Sequence, residues 1–210
     1  RGRAPATARC CRGRMLRACA LAARAPAVRL LVLALALTVA SPLESSKSVV
    51  VVGSLNVDLT VTVERLPARD ETVTASSPVA TVAVGGKGAN QAVAAARLLR
   101  PQQGHARFVG NIGNDAYAPM LEQALVESGL DISLCAHTEM NSGLGVVMLE
   151  NDGAVTSVVV GGANTVWRQH DSSHYVEMLT QADAEVVLLQ REIPEFVNTA
   201  VIDAAAQVGA

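Results

Sequence analysis

Aromatic side chains are scarce in this sequence, with one Trp, two Tyr and two Phe making up 2% of its 210 residues. Any core must be built from aliphatic side chains, and the 50% apolar fraction is ample for one sizeable domain. Charge is low at 17%, which with that apolar content excludes a disordered chain, and the 16 glycines show no collagen-like period. Acidic residues are absent from residues 1–43, which hold eight of the 17 basic side chains. The remainder therefore sets nine basic against 19 acidic residues, a net of −10 where the whole chain has −2. So acidic a body is a poor match for a phosphate backbone and excludes nucleic-acid binding as a leading function. Of the four cysteines, Cys10, Cys11 and Cys19 lie in the basic stretch, leaving Cys135 alone in the body. A disulfide framework or cysteine-based zinc site is thereby excluded there. Asn-x-Ser/Thr sequons are also missing, which weighs against long residence in a secretory pathway.

No apolar run is long enough to span a bilayer, which takes about 20 residues. The longest, Leu30–Ala40, resembles the apolar segment of a signal peptide, with arginines before it and small residues Thr38 and Ala40 ahead of Ser41. Residues 1–43 read as a leader of secretory or plastid-targeting type, or as upstream sequence with Met15 as the start. Residues 44–210 read as the folded part.

That part alternates strands with helices. Ser48–Val52 predicts a strand buried on both faces, Arg107–Asn111 another, and Val186–Gln190 a third buried one. Helices are expected over Ala89–Leu99, from Asp115 as N-cap to Glu127 with Gly129 as its stop, from Asp171 to about Gln181, and from Pro194 to about Gln207. Such alternation implies a mostly parallel sheet covered on both faces. Leu59–Val63, Thr72–Thr74, Val79–Val84 and the pair Gly145–Glu150 and Ala154–Val160 are differently patterned. The last two flank Asn151-Asp152-Gly153, a strong hairpin signal, and these strands predict a separate small sheet able to cover a cleft.

Three clusters carry possible chemistry, each expected where a buried strand ends. In Gly53-Ser54-Leu55-Asn56-Val57-Asp58, Asp58 can accept two hydrogen bonds from a vicinal diol, while Asn56 can donate and accept. That pairing suits a sugar, although an ordinary Asx-rich turn has the same composition. Gly85-Gly86-Lys87-Gly88-Ala89-Asn90-Gln91 is a glycine-rich loop entering a helix, whose N-terminus offers unpaired N–H groups. It is not a Walker A loop, because Thr81 and Gly88 stand where Gly and Ser or Thr are needed. Nor is it a dinucleotide fingerprint, since Gln91 replaces a small residue. Lys87 and Asn90 beside bare glycines suit recognition of something small and oxygen-rich. In Gln190-Arg191-Glu192, Glu192 either reaches the same cleft or serves as a helix N-terminal charge before Pro194. His170 and His174 have metal-ligand spacing but no companion, so a solvent-exposed helix face is the simpler reading.

Taken together, Asn56-Val57-Asp58, Gly85 through Ala96 and Leu189 through Pro194 resemble the ribokinase branch of the PfkB carbohydrate kinases, from about Val49 onward. The resemblance implies an α/β fold: a three-layer α/β/α sandwich with a mostly parallel sheet and a small β-sheet lid. It also implies ATP-dependent phosphorylation of D-ribose to ribose 5-phosphate. Asn56 and Asp58 would hold ribose hydroxyls; Gly86, Lys87, Gly88, Ala89 and Asn90 would line the site, and Glu192 would complete it. Ala163 and Asn164, after Gly161-Gly162, match a family stretch returning from the lid. Mg²⁺ and a monovalent cation (K⁺) are implied for the complete enzyme, with ATP as co-substrate, a cytoplasmic setting unless the leader acts, and a homodimer through the lid.

Two features depart from the family pattern. The stretch Leu98–His105 is long, with Pro101-Gln102-Gln103-Gly104, which predicts an extended surface loop. The family's second signature, Asp-Thr-x-Gly-Ala-Gly-Asp, does not occur in these 210 residues. The expectation is that the catalytic Asp and the nucleotide-binding half lie beyond Ala210, and that the chain as written cannot turn over. The alternatives are a family kinase for another sugar and a non-catalytic sugar-binding fragment.

Overall fold

The computed structural model describes residues 48–99, 104–169 and 172–210. Strand β1 (Ser48–Val52) runs parallel to its neighbours on both sides, β4 (His105–Val109) and β9 (Ala184–Leu189). Successive side chains of a strand point to opposite faces, so its valines divide between two cores. Val51 meets Phe108 together with Ala89 and Ala92 of α1 (Lys87–Leu98) and Leu121 and Leu125 of α2 (Ala118–Glu127). Val50 and Val52 meet Val109 together with Tyr175 and Leu179 of α3 (Ser172–Gln181) and Val197 and Val201 of α4 (Glu195–Val208). All three valines are completely buried. The expected three-layer α/β/α sandwich results, with β1 at its centre.

The second sheet contains β2 (Asn56–Val63), β3 (Thr81–Gly85), β7 (Gly143–Glu150) and β8 (Val155–Val160), in the order β3–β2–β7–β8. β3 and β8 run antiparallel to their neighbours, whereas β2 and β7 lie side by side and parallel. Both middle strands therefore leave the body in the same direction. Asn151-Asp152-Gly153 forms the expected turn, with Gly153 at φ 92° and Gly153 N–H donating to the Glu150 carbonyl at 2.9 Å. A short parallel pair, β5 (Asn111–Ile112) and β6 (Ala136–His137), follows β4.

Several expectations need correction. Residues 72–74 form no strand; the segment from 64 to 80 is irregular, and β3 begins at Thr81. The strand expected over Arg107–Asn111 breaks at Gly110, whose place beside the Phe108 ring and the Gly53 carbonyl leaves no room for a side chain. β9 is an edge strand of its sheet and only half buried, with Val186 43% exposed. Helix α1 starts at Lys87 rather than Ala89. Helix α2 starts at Ala118, because Asp115 sits a turn earlier: its Oδ1 accepts from Tyr117 and Ala118 N–H while Oδ2 accepts from Ser142 N–H at 2.7 Å. The expected cap at Asp171, the loop at 100–103 and the leader at 1–43 lie outside the described residues, as does His170.

Burial predicts which side chains hold the sandwich together. Leu179→Ala, at a fully buried position, is expected to cost about 2–5 kcal/mol in urea unfolding. Leu98→Ala, at 81% exposure, is expected to stay within about 0.5 kcal/mol of the parent.

Candidate functional site

Three residues, Gly53-Ser54-Leu55, carry the chain from the central strand β1 into β2 of the second sheet. They are completely or almost completely buried, so their backbone polar groups must find partners within the protein. Side chains supply many of them. The Gln190 amide accepts from Ser54 N–H at 3.3 Å and donates to the Val52 carbonyl at 2.9 Å. The Asn164 amide accepts from Leu55 N–H at 2.8 Å and donates to the Leu55 carbonyl at 3.1 Å. Each amide thus stands in for a neighbouring strand. Gln190 is itself anchored by Asn198, whose Nδ2 donates to the Gln190 carbonyl at 3.1 Å. A Cβ on Gly53 would displace the Gln190 amide from the place where it makes these bonds.

The glycine-rich loop docks onto this segment. Gly86 has φ 92°, a conformation that favours glycine, and a Cβ on Gly88 would run into the Ser54 backbone. The first N–H groups of α1 are consumed there. Lys87 N–H donates to Glu192 Oε2 at 2.8 Å, Gly88 N–H to Ser54 Oγ at 3.1 Å and Ala89 N–H to the Ser54 carbonyl at 2.9 Å. The expectation of an open helix N-terminus is therefore corrected, and Gly88 and Ala89 are buried packing positions. Likewise the loop follows β3, a mostly exposed strand of the small sheet and not a buried one.

Glu192 joins the three clusters. It pairs with the Lys87 ammonium and also accepts from the Ser54 hydroxyl at 2.8 Å. It therefore lies at the N-terminus of α1 and not at that of the helix following it in sequence. Burial alone would raise its carboxyl, but the side chain and N–H of Lys87 and the Ser54 hydroxyl outweigh it and hold Glu192 below the ordinary value of 4.5. Lys87 itself remains largely exposed, at 69% of its side chain.

Asn56 and Asp58 occupy one face of β2, two residues apart. The neighbouring strands put glycine beside them: Gly85 of β3 and Gly143 of β7 align with Asn56, and Gly145 of β7 aligns with Asp58. A Cβ on Gly85 or Gly145 would strike the Asp58 carboxylate, and one on Gly143 would strike Asn56 Oδ1. The carboxylate thus lies on a floor cleared of side chains and has no hydrogen-bond partner among the described residues. Burial first, and the charge of Glu192 second, raise Asp58 above its ordinary 3.8. A partly desolvated, unpaired carboxylate is a ready acceptor for hydroxyl groups. Asn90 is exposed on the first turn of α1 and borders a recess of ≈ 280 Å³ with Val84, Val93 and Leu125. A larger groove of ≈ 880 Å³, lined by Asn111, Trp167 and Tyr175 among others, lies outside these clusters.

Residues 46–210 match the pfkB family of carbohydrate kinases. The chain belongs to that family. It is 40% identical over 164 residues to a ribokinase of Arabidopsis thaliana, covering 76% of this chain and 41% of that one. A ribokinase of Bacillus subtilis is 37% identical over 152 residues, with 71% and 48% covered. Among solved structures, that of Arabidopsis thaliana ribokinase complexed with ribose and ATP superposes with a TM-score of 0.66 at 36% identity, covering 79% of this chain and 52% of that one. The chain thus spans about half the length of these relatives. In this pfkB chain the sequence pointed to Asn56, Asp58, Gly86, Lys87, Gly88, Ala89, Asn90 and Glu192. It assigned no role to Ser54, Gln190 or Asn164, and did not single out Gly143 and Gly145. The last pair was detectable, because Gly143-x-Gly145 repeats the spacing of Asn56-x-Asp58 on a strand.

The depressed Glu192 sets a pH dependence. A carboxylate lowered in the folded state adds stability above its unfolded value, near 4.5, and that contribution disappears as pH falls through the folded value. Thermal melts of the parent and Glu192→Gln are expected to differ at neutral pH and to converge in acid. A gap that stays constant down to pH ~3 would refute this role for the ion pair.

Proposed function

We propose that this chain carries the sugar-binding half of an ATP-dependent kinase that converts D-ribose to ribose 5-phosphate. The observation that carries the reading is the unpaired Asp58 carboxylate on the floor cleared by Gly85 and Gly145, with Asn56 on the same face. Such a carboxylate accepts from two adjacent hydroxyls, which a furanose presents as a vicinal diol. Gly86, Gly88 and Ala89 bring α1, which carries Lys87 and Asn90, against the loop that ends in Asn56. Glu192 holds the ammonium and N–H of Lys87. The named ligands of the Arabidopsis thaliana structure, ribose and ATP, support the assignment.

Phosphoryl transfer demands that the acceptor hydroxyl be held in line with the phosphoryl group and away from water. The residues of this chain supply the holding, and the small sheet forms a cover. Among the described residues no three His, Cys, Asp or Glu side chains converge to hold a metal ion. Mg²⁺ and K⁺ belong, together with ATP, to the proposal for the complete enzyme. Turnover is assigned to chain that bears the Asp-Thr-x-Gly-Ala-Gly-Asp stretch.

Calorimetric titration of the 210-residue chain with ribose, fructose and adenosine tests the reading. Ribose is expected to bind best, without ribose-dependent ATP consumption by this chain. Preference for another sugar would reassign the substrate, and ATP consumption would overturn the division of labour. Asp58→Asn is expected to weaken ribose binding by about 1.5–3 kcal/mol, roughly 10- to 150-fold, the range for a hydrogen bond to a charged group. Because Asp58 is raised, binding is expected to weaken on acidification at a pH higher than an ordinary aspartate would require.

The reading includes a homodimer through the small sheet. Its outer strand β8 is an edge bearing Val155, Val158, Val159 and Val160, each more than half exposed. An apolar open edge is a surface for pairing with a second copy. Sedimentation is expected to show a dimer that Val158→Lys converts to monomer; a parent chain sedimenting as a monomer would remove this element.

A further inference from the structure

Asn56 is 3% exposed, and in the sequence its amide could act toward a ligand as donor or acceptor. Its Oδ1 is already engaged: Asn164 Nδ2 donates to it at 2.7 Å. Its Nδ2 makes no hydrogen bond among the described residues. The same Asn164 amide grips the Leu55 backbone through both its N–H and its carbonyl. Asn164 is 2% exposed and lies on the short 3₁₀ turn Gly162–Thr165, where the chain returns from β8. That turn is secured from below, since Asn111 Nδ2 donates to the Val166 carbonyl at 2.8 Å and Trp167 Nε1 donates to the Asn164 carbonyl at 3.0 Å. Gly143 provides the space for the amide pair, because a Cβ there would meet both Asn164 Nδ2 and Asn56 Oδ1.

We propose that Asn164 is a positioning residue that turns the Asn56 amide so that it meets the sugar as a hydrogen-bond donor. This role rests on the sugar-binding reading and deepens it. Asn164 has one oxygen and two N–H bonds, and the Leu55 N–H, the Leu55 carbonyl and Asn56 Oδ1 use all three. Rotating Asn56 by 180° would set its NH₂ against the NH₂ of Asn164, two donors facing each other in a buried place. Asn56 is thereby locked with Nδ2 turned away from Asn164. Next to the acceptor-only Asp58 it makes a donor-plus-acceptor pair. One sugar oxygen is asked to accept while its neighbours donate, which discriminates against analogues lacking that oxygen.

The test has two arms on the full chain. The first needs no sugar: in the ¹⁵N spectrum, the Asn164 side-chain NH₂ and the Leu55 amide are expected to resist hydrogen exchange, and Asn164→Asp is expected to shift the Asn56 NH₂ signals. Asn164→Asp keeps an oxygen for Leu55 N–H, so it serves if Asn164→Ala fails to fold. The second arm is a double-mutant cycle on ribose affinity. Asn56→Ala and the Asn164 variant are each expected to lose about tenfold, and the double variant no more than either alone. Losses that simply add, or an Asn164→Asp chain binding ribose within about twofold of the parent, would overturn the positioning role. If the parent binds no ribose, the sugar reading falls and the role of Asn56 falls with it. Protected Asn164 and Leu55 signals in the first arm would then mark that failure as one of ligand assignment and not of the amide geometry.

Discussion

The structure turns on how three buried residues can leave a parallel sheet without abandoning their backbone hydrogen bonds. Gly53, Ser54 and Leu55 are buried between the end of β1 and the start of β2, where no adjacent strand pairs with all of them. An unmet buried N–H or carbonyl costs about 1–3 kcal/mol. Backbone meets the Gly53 N–H and the Ser54 carbonyl, and two side-chain amides from distant parts of the chain meet the Ser54 N–H and both Leu55 groups: Gln190 from the end of β9 and Asn164 from the return of the small sheet. Everything around the candidate site follows from that substitution. The fixed segment gives α1 a surface to dock on, the docking spends the N–H groups of α1, and Glu192 is drawn in to close the remaining gap.

Charge within the site is arranged by the same geometry. Glu192 and Asp58 are two carboxylates close enough for the charge of one to be felt at the other, yet they are moved in opposite directions. Glu192 has an ammonium, a backbone N–H and a hydroxyl, so its charge is compensated inside the protein. Asp58 has no such partner among the described residues, so its charge is left for whatever comes to the floor made by Gly85 and Gly145. Pairs of titratable groups pushed apart by their surroundings commonly mark a division of roles. Here Glu192 belongs to the framework of the loop, and Asp58 faces outward from it.

Much of this was readable in the chain. The run Ser48–Val52 announced a strand covered on both faces, Asn151-Asp152-Gly153 announced a hairpin, and the glycine-rich segment announced a loop entering a helix. These signals are local and rest on period, turn chemistry or the absence of a Cβ. What escaped was set by partners far away in sequence. Gln190 and Ser54 are 136 residues apart, and Asn164 and Leu55 are 109 apart, so no spacing rule joins them. The helix N-terminus looked open for the same reason, because the groups that fill it come from Ser54 and Glu192. Residues 72–74 were misleading in the other direction: two threonines and a valine have strand propensity, but no neighbouring strand pairs with them.

The parallel pairing of β2 with β7 has a mechanical consequence. A sheet made from one hairpin hangs from the body by a single pair of adjacent ends and can swing like a flap. This sheet is rooted at four ends: at Asn56, at Gly85, at Gly143 and after Val160. Three of the four roots carry glycine, at Gly85-Gly86, Gly143 and Gly161-Gly162. The register sets all four along one edge, so the plate tilts about that edge with the backbone of all four legs flexing together. Movement at the far edge of the plate is therefore transmitted to the feet, and two of those feet stand beside Asn56 and Asp58.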